Sequence, residues 1–228
     1  MEQMKEYRVE TVEKALSILE AFSNEKISLT LTEIAAETGL YKSNVSRLAA
    51  SLERFGYLKR DPNRRYRLGP ALWRLGSLYR RSFELGESVR PVLRQLVQDT
   101  GETASFYVRD QDERLCLYRE NSPNSVRHHL EEGARLTIHS GAAGHVLAAF
   151  TLGDSAAKAH LERDGSCISQ GERNPQIAAV AAPVFDATGQ IYGAVSVSGP
   201  QDRLNGHALK NAQAAVVAVA QSLGQSLC

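Results

Sequence analysis

Cysteine is scarce in this chain. Its 228 residues hold three, Cys116, Cys167 and Cys228, with no C-x-x-C pair. An odd number at such spacing excludes a disulfide scaffold and a cysteine zinc site. Long apolar runs are missing too. None reaches the roughly 18 residues that a membrane-spanning helix needs. The opening residues, MEQMKEYRVETVEK, are too charged for a secretory signal. The expectation is a cytoplasmic protein with no membrane partner. No G-x-S-x-G elbow supports serine hydrolysis. The six histidines show neither H-x3-H nor H-E-x-x-H spacing. Gly141-Ala142-Ala143-Gly144 is not a Walker motif. No catalytic residue, metal ligand or cofactor is expected, and the chain does not read as an enzyme. Cys116, between leucines, reads as a small core residue.

Net charge is nearly absent: 27 basic and 26 acidic residues leave +1 with His neutral. Hydrophobic residues at 43% and charged residues at 23% fit a folded protein rather than a disordered one. The length suggests one or two domains. The charge is unevenly spread. Residues 42–81 carry 11 basic residues against Glu53 and Asp61, an excess of +9, and the segment on either side carries −4. Such an excess is the footprint of a polyanion-binding surface, and a solvated basic face would look the same. The local structure within the block separates the two.

Residues 11–22 place Val12, Ala15, Leu16, Leu19 and Phe22 on one helical stripe. Thr30 and Glu33 form a T-x-x-E capping box, which predicts a short helix over 31–38 that stops at Gly39. A second helix runs from about Lys42 to Gly56. Ala35 is small where the two helices cross, and Val45 can pack back on the first. Two helices with a tight glycine connection match a helix-turn-helix. Lys42, Ser43, Asn44 and Arg47 fall at the exposed start of the second helix. These residue types reach phosphates and base edges of double-stranded DNA. Residues 57–68 then read as a β-hairpin about Asp61-Pro62-Asn63. Arg64, Arg65 and Arg67 at its tip and second strand suit a basic wing on the phosphate backbone. The expectation for residues 1–69 is a winged helix-turn-helix DNA-binding domain.

From Pro70 the pattern is helical again. Leu72, Leu75, Gly76, Tyr79 and Phe83 recur at three- and four-residue steps, so 70–86 reads as a linker helix. Its stripe is either core or a dimer contact, and dimers read two half-sites. Residues 87–228 read as an α+β domain. It has a helix over 87–101, strands at 103–109, 114–119, 177–185 and 191–198, a short helix over 141–150 and a closing helix over 207–223. Alanine-rich 177–182 leaves room beside it. Ser196 and Ser198 share one face of their strand, turned either to solvent or to a polar ligand. The helix start at Ser140, Gly141 and Ala142 offers free N–H groups to an anion.

The chain resembles the IclR family of bacterial transcriptional regulators over nearly its whole length. The resemblance rests on TVEKALSIL, LTEIAAETGLYKSNVSRLAASLERFGYLKRD, YRLGPALWRLG, IHSGAAGHVLAAF and AAVAAPVFDATGQIYGAVSVSGPQDRL, in that order. It implies a GAF-like effector-binding domain behind the winged helix, a homodimer or dimer of dimers, and a small-molecule effector that modulates operator binding. Family effectors are small organic acids or aromatic catabolites. The implied effector site comprises Ser140, Gly141, Ala142, Ala179, Ser196 and Ser198, with Glu172 on a covering loop. Where acid-sensing members carry a polar or thiol side chain, this chain has Ala179. Where the family commonly has lysine, it has His145. The alternative is an enzyme domain acting on a small metabolite, fused to a DNA-binding head.

Overall fold

The computed structural model describes residues 8–23, 25–82, 85–153 and 155–226. The chain divides into two units, Met1–Phe83 and Glu84–Cys228. In the first, α1 (Glu10–Glu20), α2 (Leu31–Thr38) and α3 (Lys42–Arg54) precede the hairpin of β1 (Leu58–Arg60) and β2 (Tyr66–Leu68), and α4 (Pro70–Ser82) follows. Thr30 starts α2 with a complete capping box. Its hydroxyl accepts from the Glu33 N–H at 3.2 Å, and the Glu33 carboxylate accepts from the Thr30 N–H at 2.6 Å. The Thr30 backbone bond chiefly holds the Glu33 carboxyl below its usual range. Gly39 ends α2 at φ 67°, a left-handed conformation that costs glycine little. The turn delivers α3 across α2.

Ile18, Ile34, Val45, Leu48, Leu58 and Tyr66 close the core of this unit. Fully burying each large aliphatic contributes about 1.5–3 kcal/mol. Ala35 is half-buried against the same core. The stripe expected on α1 is rotated. Its fully buried residue is Ile18, flanked by Ala15, Leu19 and Phe22, while Val12 and Leu16 are exposed. Apolar residues cover most of this helix surface, so periodicity does not single out the line that α2 and α3 cover. Leu29 and Tyr66 exchange backbone hydrogen bonds, which fastens the segment before α2 to the hairpin.

The second unit is α+β. Its elements are α5 (Leu85–Thr100), β3 (Thr103–Asp110), β4 (Glu113–Glu120), β5 (Arg135–Thr137), α6 (Ala142–Thr151), α7 (Ser155–Asp164), β6 (Cys167–Gln170), β7 (Ile177–Phe185), β8 (Ile191–Pro200) and α8 (Gly206–Ser226). Six antiparallel strands lie in the order β5-β4-β3-β8-β7-β6. On one face, Val89, Leu93 and Leu96 of α5 and Leu209, Val216 and Leu223 of α8 pack on Phe106, Val180, Val195 and Val197. On the other, Val146 and Leu147 of α6 pack on Tyr107, Cys116, Ala181 and Ala194. The small side chains of β7 admit helices on both faces. Ala178 and Ala182 lie in the α5/α8 core and Ala181 under α6. The sequence reading omits α7, β5 and β6. The two missed strands are three- and four-residue edges, too short for alternation to register. Among the described residues no helix is long and apolar enough to cross a membrane.

Candidate DNA interface and ligand cavity

On α3, Val45, Leu48 and Ala49 turn inward. The helical period therefore turns Lys42, Ser43 and Arg47 to solvent, with Asn44 half-buried beside them. Tyr41, just before the helix, is 82% exposed. The sequence reading passed over it, although an aromatic next to Lys42 was its own signal. On the wing, Arg64 is exposed at a φ of 62°, and Arg67 is exposed with its Nε 3.8 Å from Asp61. Arg65 is engaged within the unit. Its Nε donates to the Ser28 hydroxyl at 3.1 Å, and its Nη2 donates to the Ser28 carbonyl and to Glu33 at 2.7 and 3.0 Å. Arg65 thereby fastens the wing to the start of α2.

In the second unit a small cavity of about 40 Å³ lies between α6 and the sheet. By the same measure one water needs roughly 10–15 Å³, so the space suits a few water-sized groups. Gly141, Ala142, Glu172, Ala179, Ser196 and Ser198 line it together. Both serines are nearly buried, at 4% and 6% exposure, so the solvent-facing alternative does not hold. Alternation sends Val195 and Val197 to the α5/α8 core and the serines to the cavity. Ser140 does not line the cavity; its carbonyl accepts a hydrogen bond from Arg114.

Further lining residues lie outside the site expected from sequence, among them Tyr107, Arg114, His128 and Arg173. Arg114 reaches the cavity from β4, and its Nη1 donates to the carbonyls of Thr137 and Ser140. Its guanidinium carbon lies 5.5 Å from the Tyr107 ring centroid. Burial pushes the Tyr107 hydroxyl up and the Arg114 guanidinium down from their ordinary values. Arg173 donates to Nε2 of His128. An arginine only donates, so Nδ1 of His128 carries the proton and donates to the Ser198 hydroxyl at 3.0 Å. Burial, then Arg119 and Arg173, push His128 down to about 4, so the ring is neutral at pH 7. Arg119 and Arg203 hold the carbonyls of His128 and Val126, which positions this segment.

Glu172 sits at the start of α6. Its Oε2 accepts from the Gly141 N–H at 2.8 Å and lies 2.7 Å from His145 Nε2. Burial pushes this carboxyl up, but the Gly141 and His145 bonds outweigh it and hold it below its usual range. Gly144 lets the arginine pass, because a Cβ there would stand 2.6 Å from the Ile138 carbonyl and would also meet Arg114. Cys116 is buried and its thiol is pushed up to about 11 by burial. Burial also raises the thiol of half-buried Cys167. Cys228 and Phe83 lie outside the described residues.

The model of the IclR helix-turn-helix domain matches residues 11–62. That of the bacterial transcriptional regulator IclR C-terminal domain matches residues 78–163 and 157–225. The HTH-type transcriptional regulator BhcR of Paracoccus denitrificans is 30% identical, over 94% of this chain and 86% of its own. An IclR-type transcriptional regulator from Alicyclobacillus acidocaldarius shares the fold with a TM-score of 0.85 at 24% identity, covering 96% of this chain and 99% of that one. An IclR homologue from Microbacterium hydrocarbonoxydans, solved in complex with 4-hydroxybenzoate, gives 0.78 at 20% identity, over 95% and 99%. The two domain models match in the order in which the two units fold, and the chain belongs to the IclR family, a family of transcriptional regulators rather than enzymes.

Proposed function

We propose that residues 1–69 bind a double-stranded DNA operator and that residues 87–228, a GAF-like domain, bind a small organic acid that modulates this binding through the linker 70–86, which carries α4 and the first residues of α5. Lys42, Ser43, Asn44 and Arg47 approach the major groove. Arg64 and Arg67 hold the phosphate backbone, and Arg65 positions the wing that carries them. The observation that carries the effector half is the convergence of Gly141, Ala142, Glu172, Ala179, Ser196 and Ser198 on one cavity. Its small volume favours an acid smaller than the 4-hydroxybenzoate held by the Microbacterium homologue. The regulator works in the cytoplasm, as a homodimer or a dimer of dimers. On α4, Leu75, Leu78 and Tyr79, three and four residues apart on one face, are 37%, 51% and 49% exposed. A run of exposed large apolar side chains marks an association surface, and a second copy supplies the second half-site reader. An effector that changes operator affinity 5- to 150-fold exerts about 1–3 kcal/mol of coupling.

The test is fluorescence anisotropy of the full chain on its own upstream intergenic DNA, at fixed salt, with and without small carboxylic acids. An acid-dependent change in affinity is expected. DNA binding that neither acids nor neutral aromatics alter would remove the effector half of the reading.

A further inference from the structure

Arg114 and Arg119 are 4% and 6% exposed. Both guanidinium groups bind only neutral acceptors, although the Arg119 backbone N–H donates to the Glu132 carboxylate at 2.9 Å. Arg114 has the Thr137 and Ser140 carbonyls, and its Nε has no hydrogen-bond partner. Arg119 has the Ser105 hydroxyl, the Asn121 side chain and the His128 carbonyl. Arg173, at the cavity mouth, has only the neutral His128 ring. The carboxylates around them are committed elsewhere: Glu132 to Arg90, Glu131 to His129, Glu102 to Arg203 and Glu172 to His145. Among the described residues, none lies within ion-pair distance of Arg114, Arg119 or Arg173. A buried cation without a countercharge is expensive, and burial lowers both buried guanidinium pKa values accordingly. Among the residues that line the cavity and the cleft outside it, three guanidinium groups, Arg114, Arg127 and Arg173, stand against one carboxylate, Glu172, which leaves two positive charges for a ligand to meet.

We propose that the effector is a short dicarboxylate, with one carboxylate against Arg114 inside the cavity and the other against Arg173 at its mouth. This rests on the effector reading above and narrows it to a dianion. The shape agrees with the charge. The inner cavity of about 40 Å³ admits one carboxylate head. The Ser198 hydroxyl accepts from His128 and keeps its own proton to donate to that head. A second cleft of about 420 Å³, carrying Arg127 and His129, shares His128 and Arg173 with the inner one. The Arg173–His128 bond therefore stands between the two spaces. A carboxylate arriving at the mouth draws Arg173 into a charge-assisted pair, which is stronger than its bond to a neutral ring.

Calorimetric titration of the full chain at pH 7.5 and fixed salt tests this. The probes are malonate, succinate and glutarate, their monoamides and diamides, and 4-hydroxybenzoate. At least one diacid is expected to bind about tenfold or more tightly than its monoamide, as one charge-assisted bond requires. Arg173→Gln, an exposed and readily tolerated change, should bring that diacid and its monoamide to within about threefold of each other. Arg114→Met should weaken both. A monoamide, a diamide or 4-hydroxybenzoate that binds as well as every diacid overturns the dianion proposal and leaves the effector reading standing. So does a diacid preference that survives Arg173→Gln. If no probe binds, the dianion proposal falls, and the DNA-binding test above decides the effector reading.

Discussion

The Glu172 carboxylate accepts a hydrogen bond from the Gly141 N–H at the N-terminus of α6, at 2.8 Å. A helix N-terminus favours an anion, and here the protein's own side chain fills it. An arriving acid either displaces Glu172 or binds beside it, next to a like charge. Glu172→Gln removes that charge and keeps an acceptor for Gly141. Affinity for anionic effectors should rise by about three- to tenfold in calorimetry, on the order of 1 kcal/mol. An unchanged or weaker affinity would show that Glu172 aids binding rather than competing.

The buried His128 ring gives the second unit a defined pH dependence. Its proton affinity is lowered to about 4 by burial and nearby arginines, against an ordinary value of 6.5. As pH falls through 6.5 the unfolded chain takes up a proton and the folded chain does not, down to about 4. Stability is therefore full above pH 6.5 and is lost progressively between 6.5 and about 4. The melting temperature should fall by several degrees across that window. His128→Gln, which does not titrate there, should flatten the curve. An equally steep decline in the variant would assign the effect to other groups.

The wing arginines should divide into two behaviours. Arg64→Ala and Arg67→Ala should each weaken DNA binding evenly across sequences and reduce the salt slope by about one. Neither should alter the melting temperature appreciably. Arg65→Ala removes the bonds to Ser28 and Glu33, so it should also lower the stability of the first unit, by about 1 kcal/mol. A salt-slope change without any loss of stability would place Arg65 on the DNA instead.

Gly144→Ala should damage the cavity by steric crowding, with no polar side chain removed. The added methyl would crowd the Ile138 carbonyl and the Arg114 guanidinium. Overpacking of this kind costs about 1–3 kcal/mol. Thermal unfolding should show that loss, and effector titration should show weaker binding. Retention of both would mean that α6 can slide away from the sheet.

On α4, Leu78→Glu places a charge on the exposed apolar stripe. Light scattering should then show a smaller particle than the unsubstituted chain, and operator affinity should drop because one half-site reader is lost. A monomer before substitution would end the idea that α4 pairs copies.

Short-range chemistry was enough for the caps and turns of the first unit, though not for the buried line of α1. The Thr30–Glu33 box, Gly39 and the hairpin turn act within a few residues, so the sequence carries their outcome directly. The same holds for Ser196 and Ser198 sharing a strand face. Which face is buried depends on packing by α6, a helix about fifty residues earlier in the chain, and local pattern does not carry that. Arg114 and Arg119 show the limit most clearly. They are five residues apart on β4, and strict alternation would set them on opposite faces. Instead Tyr107 pairs with Cys116 and Phe106 with Tyr118, which leaves Leu117 as an extra residue in a bulge. Both arginines then face the α6 side, one lining the cavity and the other bonded to Ser105 behind it. A charged residue opening the apolar run Arg114–Tyr118 was visible in the sequence. Its burial, its missing countercharge and its company were set by strands pairing across long stretches of chain, where register and packing are non-local.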